Sequence, residues 1–266
     1  LKEKFGGISF DCWPTEYKFA QKRALKKFRN ENSREILFWL FVQFEVFRQW
    51  KNLKAYANKR GVYIIGDIPL YPAYDSADVW LNPRLFKLNP DRSLKKVAGV
   101  PPDYFSATGQ LWGNPVYRWH NHKKNNYEWW TERFRQAFEL YDVVRVDHFR
   151  GFESYYEIDA GEQTAVRGAW KPGPKKELFE AVEKKLGKLN LIAEDLGALN
   201  RGVYRLMAET GYPGMKVLQF AFDGERRNPH LPRKTASVIR ERTITIRFMA
   251  LSKDCREINC AYSRKV

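Results

Sequence analysis

The nine residues from Val143 to Gly151, VVRVDHFRG, carry the side chains of this chain best placed to do chemistry. Val143, Val144, Val146 and Phe149 read as a buried strand, yet Arg145, Asp147, His148 and Arg150 load it with charge or potential charge. Desolvating such groups is costly unless they are paired. Arg145 and Asp147, two apart, fall on the same side of a strand, which points to a site at the strand's end. A structural ion pair at a strand terminus is the competing reading. Gly151 is where the chain is expected to turn away.

The pattern recurs. GVYIIGDIPLY, from Gly61 to Tyr71, reads as a short apolar strand ending at Asp67 and followed at once by Pro69. LNLIAEDLG, from Leu189 to Gly197, ends in Glu194 and Asp195, and GMKVLQFAFD, from Gly214 to Asp223, reads as a fourth strand. Two carboxylates at the ends of neighbouring parallel strands can share a cleft while sitting in different environments. That arrangement suits glycosidic chemistry, in which one carboxylate attacks the anomeric carbon and another, kept protonated, protonates the leaving oxygen. Asp147 and Glu194 are the candidates. Residues 72 to 128 read as one long irregular stretch rich in Pro, Gly and aromatics, where Tyr104, Phe105, Trp112, Tyr117 and Trp119 offer a stacking surface for sugars or pack the loop on its own domain.

These groups need elements to hold them. Residues 1 to 60 read as mainly helical, with Asn32 and Glu35 forming a capping box ahead of an apolar run expected to be a buried helix packed on a sheet. Helices are expected over 126 to 141, 175 to 186 and 201 to 210. Strand and helix alternating, with charged groups at successive strand C-termini, predicts a (β/α) barrel. A doubly wound sheet is the alternative, but the glycine-rich GxGxxG turn that usually accompanies it is missing.

Composition bounds the rest. The 266 residues, 44% hydrophobic and 29% charged, suit one large globular α/β domain. The longest apolar run, Ile36 to Val42, is far short of the roughly 20 residues of a membrane span, and the opening Leu-Lys-Glu-Lys does not read as a signal peptide, so a cytoplasmic protein with no membrane partner is expected. The missing initial Met predicts a true start upstream. Cys12, Cys255 and Cys260 have neither metal-ligand nor disulfide-framework spacing, and no metal site or cofactor is expected. The net charge of +16 invites a nucleic-acid partner, but the segment from Arg233 to Val266 alone holds nine Lys/Arg against three Asp/Glu, and no nucleic-acid-binding signature accompanies the charge.

The blocks GDIPLYPAYDSADVWLNP, VAGVPPDYFSATGQLWGNP, RVDHFRGFESYYEI, AEDLG and GYPGMKVLQFAFD, in this order, resemble the 4-α-glucanotransferases of the amylomaltase (disproportionating enzyme) family. The resemblance covers about Lys2 to Pro232. It implies a fold of the α/β class, a (β/α)8 TIM barrel of the α-amylase clan with long βα loops and here partial. It also implies transfer of α-1,4-glucan segments to glucose or maltodextrin acceptors, with retention and without a cofactor. Carried over by motif, Asp147 of RVDH is implied as the nucleophile and Glu194 of AEDLG as the general acid and base. Arg145 is implied to hold Asp147, Asp67 of GDIP to bind sugar in the donor subsite, and Tyr104 and Phe105 to lie in a water-excluding acceptor loop. Trp112, Asn114 and His148, in the same blocks, complete the expected substrate-binding set. A clan relative that hydrolyses α-glucans and a non-catalytic glucan-binding remnant are the alternatives.

The resemblance places the catalytic part at residues 1 to 232, without the first barrel strands, and breaks at 233 to 266. There the family continues toward YTGTHDNDT, which supplies a His and a third carboxylate. Ile239 to Arg247, IRERTITIR, can be written ATA CGG GAA CGC ACG ATA ACG ATA CGN. Moved back one base behind a T, this reads TAT ACG GGA ACG CAC GAT AAC GAT ACG, or YTGTHDNDT. The tail is therefore expected to be a frame-shifted translation.

Overall fold

Parallel strands cannot be joined by a tight turn, so each apolar strand of this chain is followed by a connection long enough to carry a helix back across the sheet. The computed structural model describes residues 1–103, 106–197, 199–221 and 237–239. Helices α1 (Thr15–Lys18), α2 (Lys22–Glu31) and α3 (Ser33–Asn58) precede strand β1 (Ile65–Ile68). Next come α4 (Ala77–Leu81), β2 (Lys96–Val100), β3 (Gln110–Pro115), α5 (Trp119–Lys124) and α6 (Glu128–Leu140). Strands β4 (Val143–Val146), β5 (Ser154–Asp159) and β6 (Gly168–Pro172) lead into α7 (Lys176–Leu186). The described part closes with β7 (Leu191–Ala193), α8 (Arg201–Thr210), β8 (Met215–Val217) and β9 (Ser237–Ile239).

β1, β4 and β7 lie side by side in that order, all parallel. A single parallel bridge from Ala193 to Gly214 leads on to β8, which pairs in parallel with β9. Three residues of the 233–266 segment thus sit beside β8. The strands read as apolar runs because both faces are covered. Val144, Val146, Leu191 and Ala193 are buried in the main core with Phe134 of α6, Leu178, Phe179 and Val182 of α7, and Leu206 of α8. Full burial of each large side chain among these contributes roughly 1.5–3 kcal/mol. Register then does the positioning: Asp67 of β1 faces Arg145 of β4, so a single row across the sheet places acid beside base.

The stretch 72–128 is not the irregular loop expected. It holds β2 and β3, which join β5 and β6 in a four-stranded antiparallel sheet of order β3-β2-β5-β6. QLWGNP carries Gly, Asn and Pro and is poor in strand formers, so local propensity did not announce it. It is a strand because it pairs antiparallel with β2, which is itself held on its other side by β5. Gly99 allows that pairing, since a Cβ there would lie 2.2 Å from the Gln110 carbonyl oxygen. The loop after β1 is tied to the antiparallel sheet by Tyr117, just beyond β3, whose hydroxyl donates to the Leu70 carbonyl at 2.6 Å, and to α6 by Arg133, which donates to the Pro69 carbonyl at 2.6 Å. Tyr117 and Trp119 are therefore part of the core: Tyr117 is fully buried and Trp119 stacks on Trp130. That removes both from the stacking surface that the sequence suggested.

Helix α3 departs from expectation in two ways. The Asn32–Glu35 capping box does not form. Asn32 closes α2 instead, donating its amide to the Phe28 carbonyl at 2.8 Å, while Glu35 accepts from the Trp39 indole at 2.9 Å. Nor is the helix buried. None of its residues is fully covered, and Leu37, Phe41 and Phe44 keep more than half of their surface in solvent. Its polar attachments to the rest of the chain lie at the C-terminal half, where Trp50, Lys54 and Asn58 bond to Leu140, Phe138, Tyr141 and Asp142 around the α6–β4 connection. Apolar density on every face indicated burial; in this chain one short strip of the helix is used.

Behind Tyr117, His122 is wholly enclosed by rings, and burial pushes its pKa down from 6.5 to about 4. Below 6.5 the unfolded chain takes up a proton that the folded chain refuses until about 4, so this contribution to stability is present above 6.5 and lost as pH falls through that window. His122→Phe keeps a ring in the cluster and removes the titration. Its unfolding free energy should fall less between pH 7 and 4 than that of the parent, by up to about 3 kcal/mol in denaturant titrations. Parallel pH profiles for the two proteins would refute a buried neutral His122.

Candidate active site

The ladder of parallel hydrogen bonds runs one step beyond the strands and carries the acids with it. Asp147 N donates to the Ile68 carbonyl at 3.0 Å, and Glu194 N donates to the Val146 carbonyl at 3.1 Å. Asp147 follows β4 directly and Glu194 follows β7 directly, so both carboxylates stand at the C-terminal ends of neighbouring strands. Between them, His148 adopts a left-handed backbone with φ of 51°. A non-glycine residue rarely sits there. The turn aims the His148 N–H at Glu194 Oε2, 2.9 Å away. The turn that the sequence assigned to Gly151 is thus made at His148. Gly151 serves close packing instead, because a Cβ would come within 2.2 Å of the Leu70 side chain.

Arg145 is the hub. One terminal nitrogen meets Asp67 Oδ2 at 2.5 Å, the other meets Asp147 Oδ1 at 2.9 Å, and Nε lies 3.3 Å from the Met215 sulfur. A planar guanidinium can serve two carboxylates at once because its donors diverge in a fixed fork. Partial burial raises the Asp67 carboxyl above its ordinary pKa; Arg145 opposes this and Asp147 adds to it. Glu194 is also raised by burial, against the pull of hydrogen bonds from the Leu196 and His148 amides. An acid placed in this way holds its proton to higher pH than an exposed one. His148, pushed down to about 3 by burial with help from the Arg150 charge, is neutral at ordinary pH.

The other expected residues divide. The Trp112 ring meets His148 edge to face at 4.7 Å between centroids, which brings it to the rim of the acid pair. Asn114 is turned to the chain itself, its amide donating to the Pro72 carbonyl at 3.0 Å and so fixing the loop after β1. Tyr104 and Phe105 lie outside the described residues. Asp195, read from the sequence as a strand-end carboxylate but given no role, and Met215, not singled out, also belong to this assembly. The Asp195 carboxylate accepts from the Met215 amide at 2.7 Å and stands so close to Gly214 that a Cβ there would fall 2.3 Å from it. A second carboxylate directly after Glu194 was the available signal. Among the described residues no group of three or more His, Cys, Asp or Glu side chains is arranged to hold a metal ion.

Comparison with known proteins places this geometry. The family model of 4-alpha-glucanotransferase matches residues 1–242. The chain belongs to the 4-alpha-glucanotransferase family. It is 49% identical to the 4-alpha-glucanotransferase of Clostridium butyricum over 233 residues, which is 87% of this chain and 48% of that protein. It is 50% identical to the 4-alpha-glucanotransferase of Synechocystis over 234 residues, 87% of this chain and 46% of that one. The structure of amylomaltase from Streptococcus agalactiae in complex with acarbose superimposes with a TM-score of 0.84 at 41% identity, covering 89% of this chain and 49% of that one. The chain therefore spans about half the length of the curated relatives it matches. Among its described residues no helix is long and apolar enough to cross a membrane.

Because Arg145 holds the two aspartates as a pair, Arg145→Met removes a pull that keeps the Asp67 carboxyl from rising further. Carboxyl-detected NMR titration should then find Asp67 titrating at higher pH than in the parent. An unshifted Asp67 would show that the fork carries no electrostatic weight.

Proposed function

We propose that this site, in a polypeptide completed to the length of its relatives, transfers α-1,4-glucan segments to glucose or maltodextrin acceptors by double displacement. The observation that carries the reading is the contrast between Asp147, held by Arg145, and Glu194, kept toward its acid form by burial, at the ends of adjacent strands. In the first step an Asp147 carboxylate oxygen attacks the anomeric carbon. The glycosidic bond breaks and the Glu194 proton passes to the departing 4-oxygen. In the second step Glu194, now ionised, takes the proton of the acceptor's 4-hydroxyl, whose oxygen displaces Asp147 from the anomeric carbon. Arg145 steadies Asp147 and offsets part of its charge. Asp67, Trp112 and His148 bind the donor sugar, with Asn114 shaping the loop beside them. Tyr104 and Phe105 shield the glycosyl ester from water. The acarbose complex of the S. agalactiae amylomaltase supports a glucan-type ligand. No cofactor, membrane or nucleic acid enters this scheme, and the cytoplasm is the proposed compartment.

The parallel order β1-β4-β7, with β8 and β9 beyond, supports a sector of a (β/α)8 barrel. Residues 1–232 would form that catalytic sector and residues 233–266 a frame-shifted tail. The codons of Ile239 to Arg247 decide the latter: any set incompatible with YTGTHDNDT rejects it.

The catalytic test is glucose release from maltotriose, with longer maltodextrins appearing alongside. In the completed polypeptide Asp147→Asn should lower turnover about 10³-fold or more, because an amide cannot form the glycosyl ester. Glu194→Gln should lose the alkaline limb of the pH profile, because that limb reports loss of the Glu194 proton. Turnover undiminished in Asp147→Asn would remove that residue from the nucleophile's role. Replacing Tyr104 and Phe105 together by Ala should raise the share of hydrolysis over transfer, and an unchanged ratio would leave them without a shielding role.

A further inference from the structure

We infer that the cavity bounded by the β4–β5 turn, β6 and the start of α8 is a second glucan-binding site, taking the part of a long α-1,4-glucan beyond the reacting bond. The inference rests on the transglycosylation reading and extends it. The cavity measures about 660 Å³, within the range of small-molecule sites. Its walls continue the segments that bear the acids: Arg150 follows Asp147 by three residues and Asn200 follows Glu194 by six. It therefore lies beside the segments that follow both acid-bearing strands.

Trp170 supplies the platform. It stands on β6, a strand exposed along its whole length, and keeps 41% of its surface in solvent. The ring is nonetheless held firmly. The Arg150 guanidinium lies 4.0 Å from its centroid and Tyr156 meets it edge to face at 5.3 Å. An indole that is both exposed and fixed gives apolar contact area at little ordering cost. Around it the polar groups are fixed too. Glu153 accepts from the Ser154 hydroxyl at 2.5 Å and from the Asn200 amide at 3.3 Å, while its other oxygen lies where Gly202 has no side chain. Asn200 in turn caps α8 by accepting from Val203 N at 3.0 Å.

A flat apolar face bordered by a carboxylate, an amide and a hydroxyl matches a pyranose, which presents C–H groups on one face and hydroxyls at its rim. Arg150 alone would favour an anion, but Glu153 opposes one. A neutral sugar uses all of these groups without an unpaired charge.

The test is calorimetric titration of the 266-residue chain with maltose, maltoheptaose and inorganic phosphate. Maltoheptaose should bind more tightly than maltose. Trp170→Ala should weaken maltoheptaose about fivefold or more and leave maltose unchanged, and Trp170→Tyr should restore most of the loss. As β6 is an exposed edge strand, both variants should melt with the parent. Equal maltoheptaose affinity in the parent and Trp170→Ala, or no binding by the parent, overturns the inference, and phosphate competing with maltoheptaose reassigns the cavity to anions and overturns it as well. Maltotriose turnover separates this from the catalytic reading. Trp170-dependent binding with no turnover in the completed polypeptide would leave the cavity standing and the catalysis refuted, whereas turnover with Trp170-independent binding would do the reverse.

Discussion

Everything at the site depends on one cation between two anions. Without Arg145, Asp67 and Asp147 would face each other across neighbouring strands with like charge, in surroundings that already disfavour ionisation of Asp67. The fork of the guanidinium resolves this by facing both at once, which a lysine amine on a flexible stem does less well. Its third contact, to the sulfur of Met215, reaches β8, so a single side chain connects groups on three strands. Asp195 then anchors Met215 through its backbone amide. The chain of contacts returns to Glu194, the residue next to Asp195.

Such a cluster is affordable because parallel strands finish together. Their apolar middles are buried between helices, and polarity is confined to the C-terminal ends, where the ladder runs out and backbone groups become free to meet side chains. Asp147 and Glu194 each use their own amide to extend the ladder and their carboxylate to face the rim. Position along the strand therefore separates structure from chemistry by only one residue: Val146 and Ala193 are fully buried core, whereas Asp147 and Glu194 are half-buried.

This one-residue boundary explains what could be read from the sequence. An apolar run meeting a carboxylate is a local pattern, so β1, β4 and β7, with Asp67 inside the first and Asp147 and Glu194 directly after the others, and helices α6 and α7 were legible. Arg145 and Asp147 were legible as a pair because two residues along a strand return to the same side. Asp67 was legible as a strand-end acid, but its link to Arg145 arises from register between strands 78 residues apart. β2 and β3 were less legible: β2 finds its second partner, β5, far along the chain, and β3, which pairs with β2, is poor in strand formers. Trp119 and Tyr117 looked like a ligand platform because aromatic composition does not distinguish core from cleft. Helix α3 failed in the opposite sense, since apolar content predicts burial only where a neighbour is present to supply it.

That helix has a colloidal consequence. Its apolar flank, with Leu37, Phe41 and Phe44 facing water, offers a surface through which two copies could adhere, while the chain carries a formal charge of +16 that keeps copies apart. The two forces have different ranges. Repulsion between exposed charges fades beyond about 10 Å at 0.1 M salt, whereas apolar contact is strengthened by salting-out ions. The chain is consequently best dispersed in dilute buffer. Raising the ionic strength tilts the balance from mutual repulsion toward adhesion along α3, a reversal of the salt response expected of a protein whose surface is held apart by nothing but its polar coat.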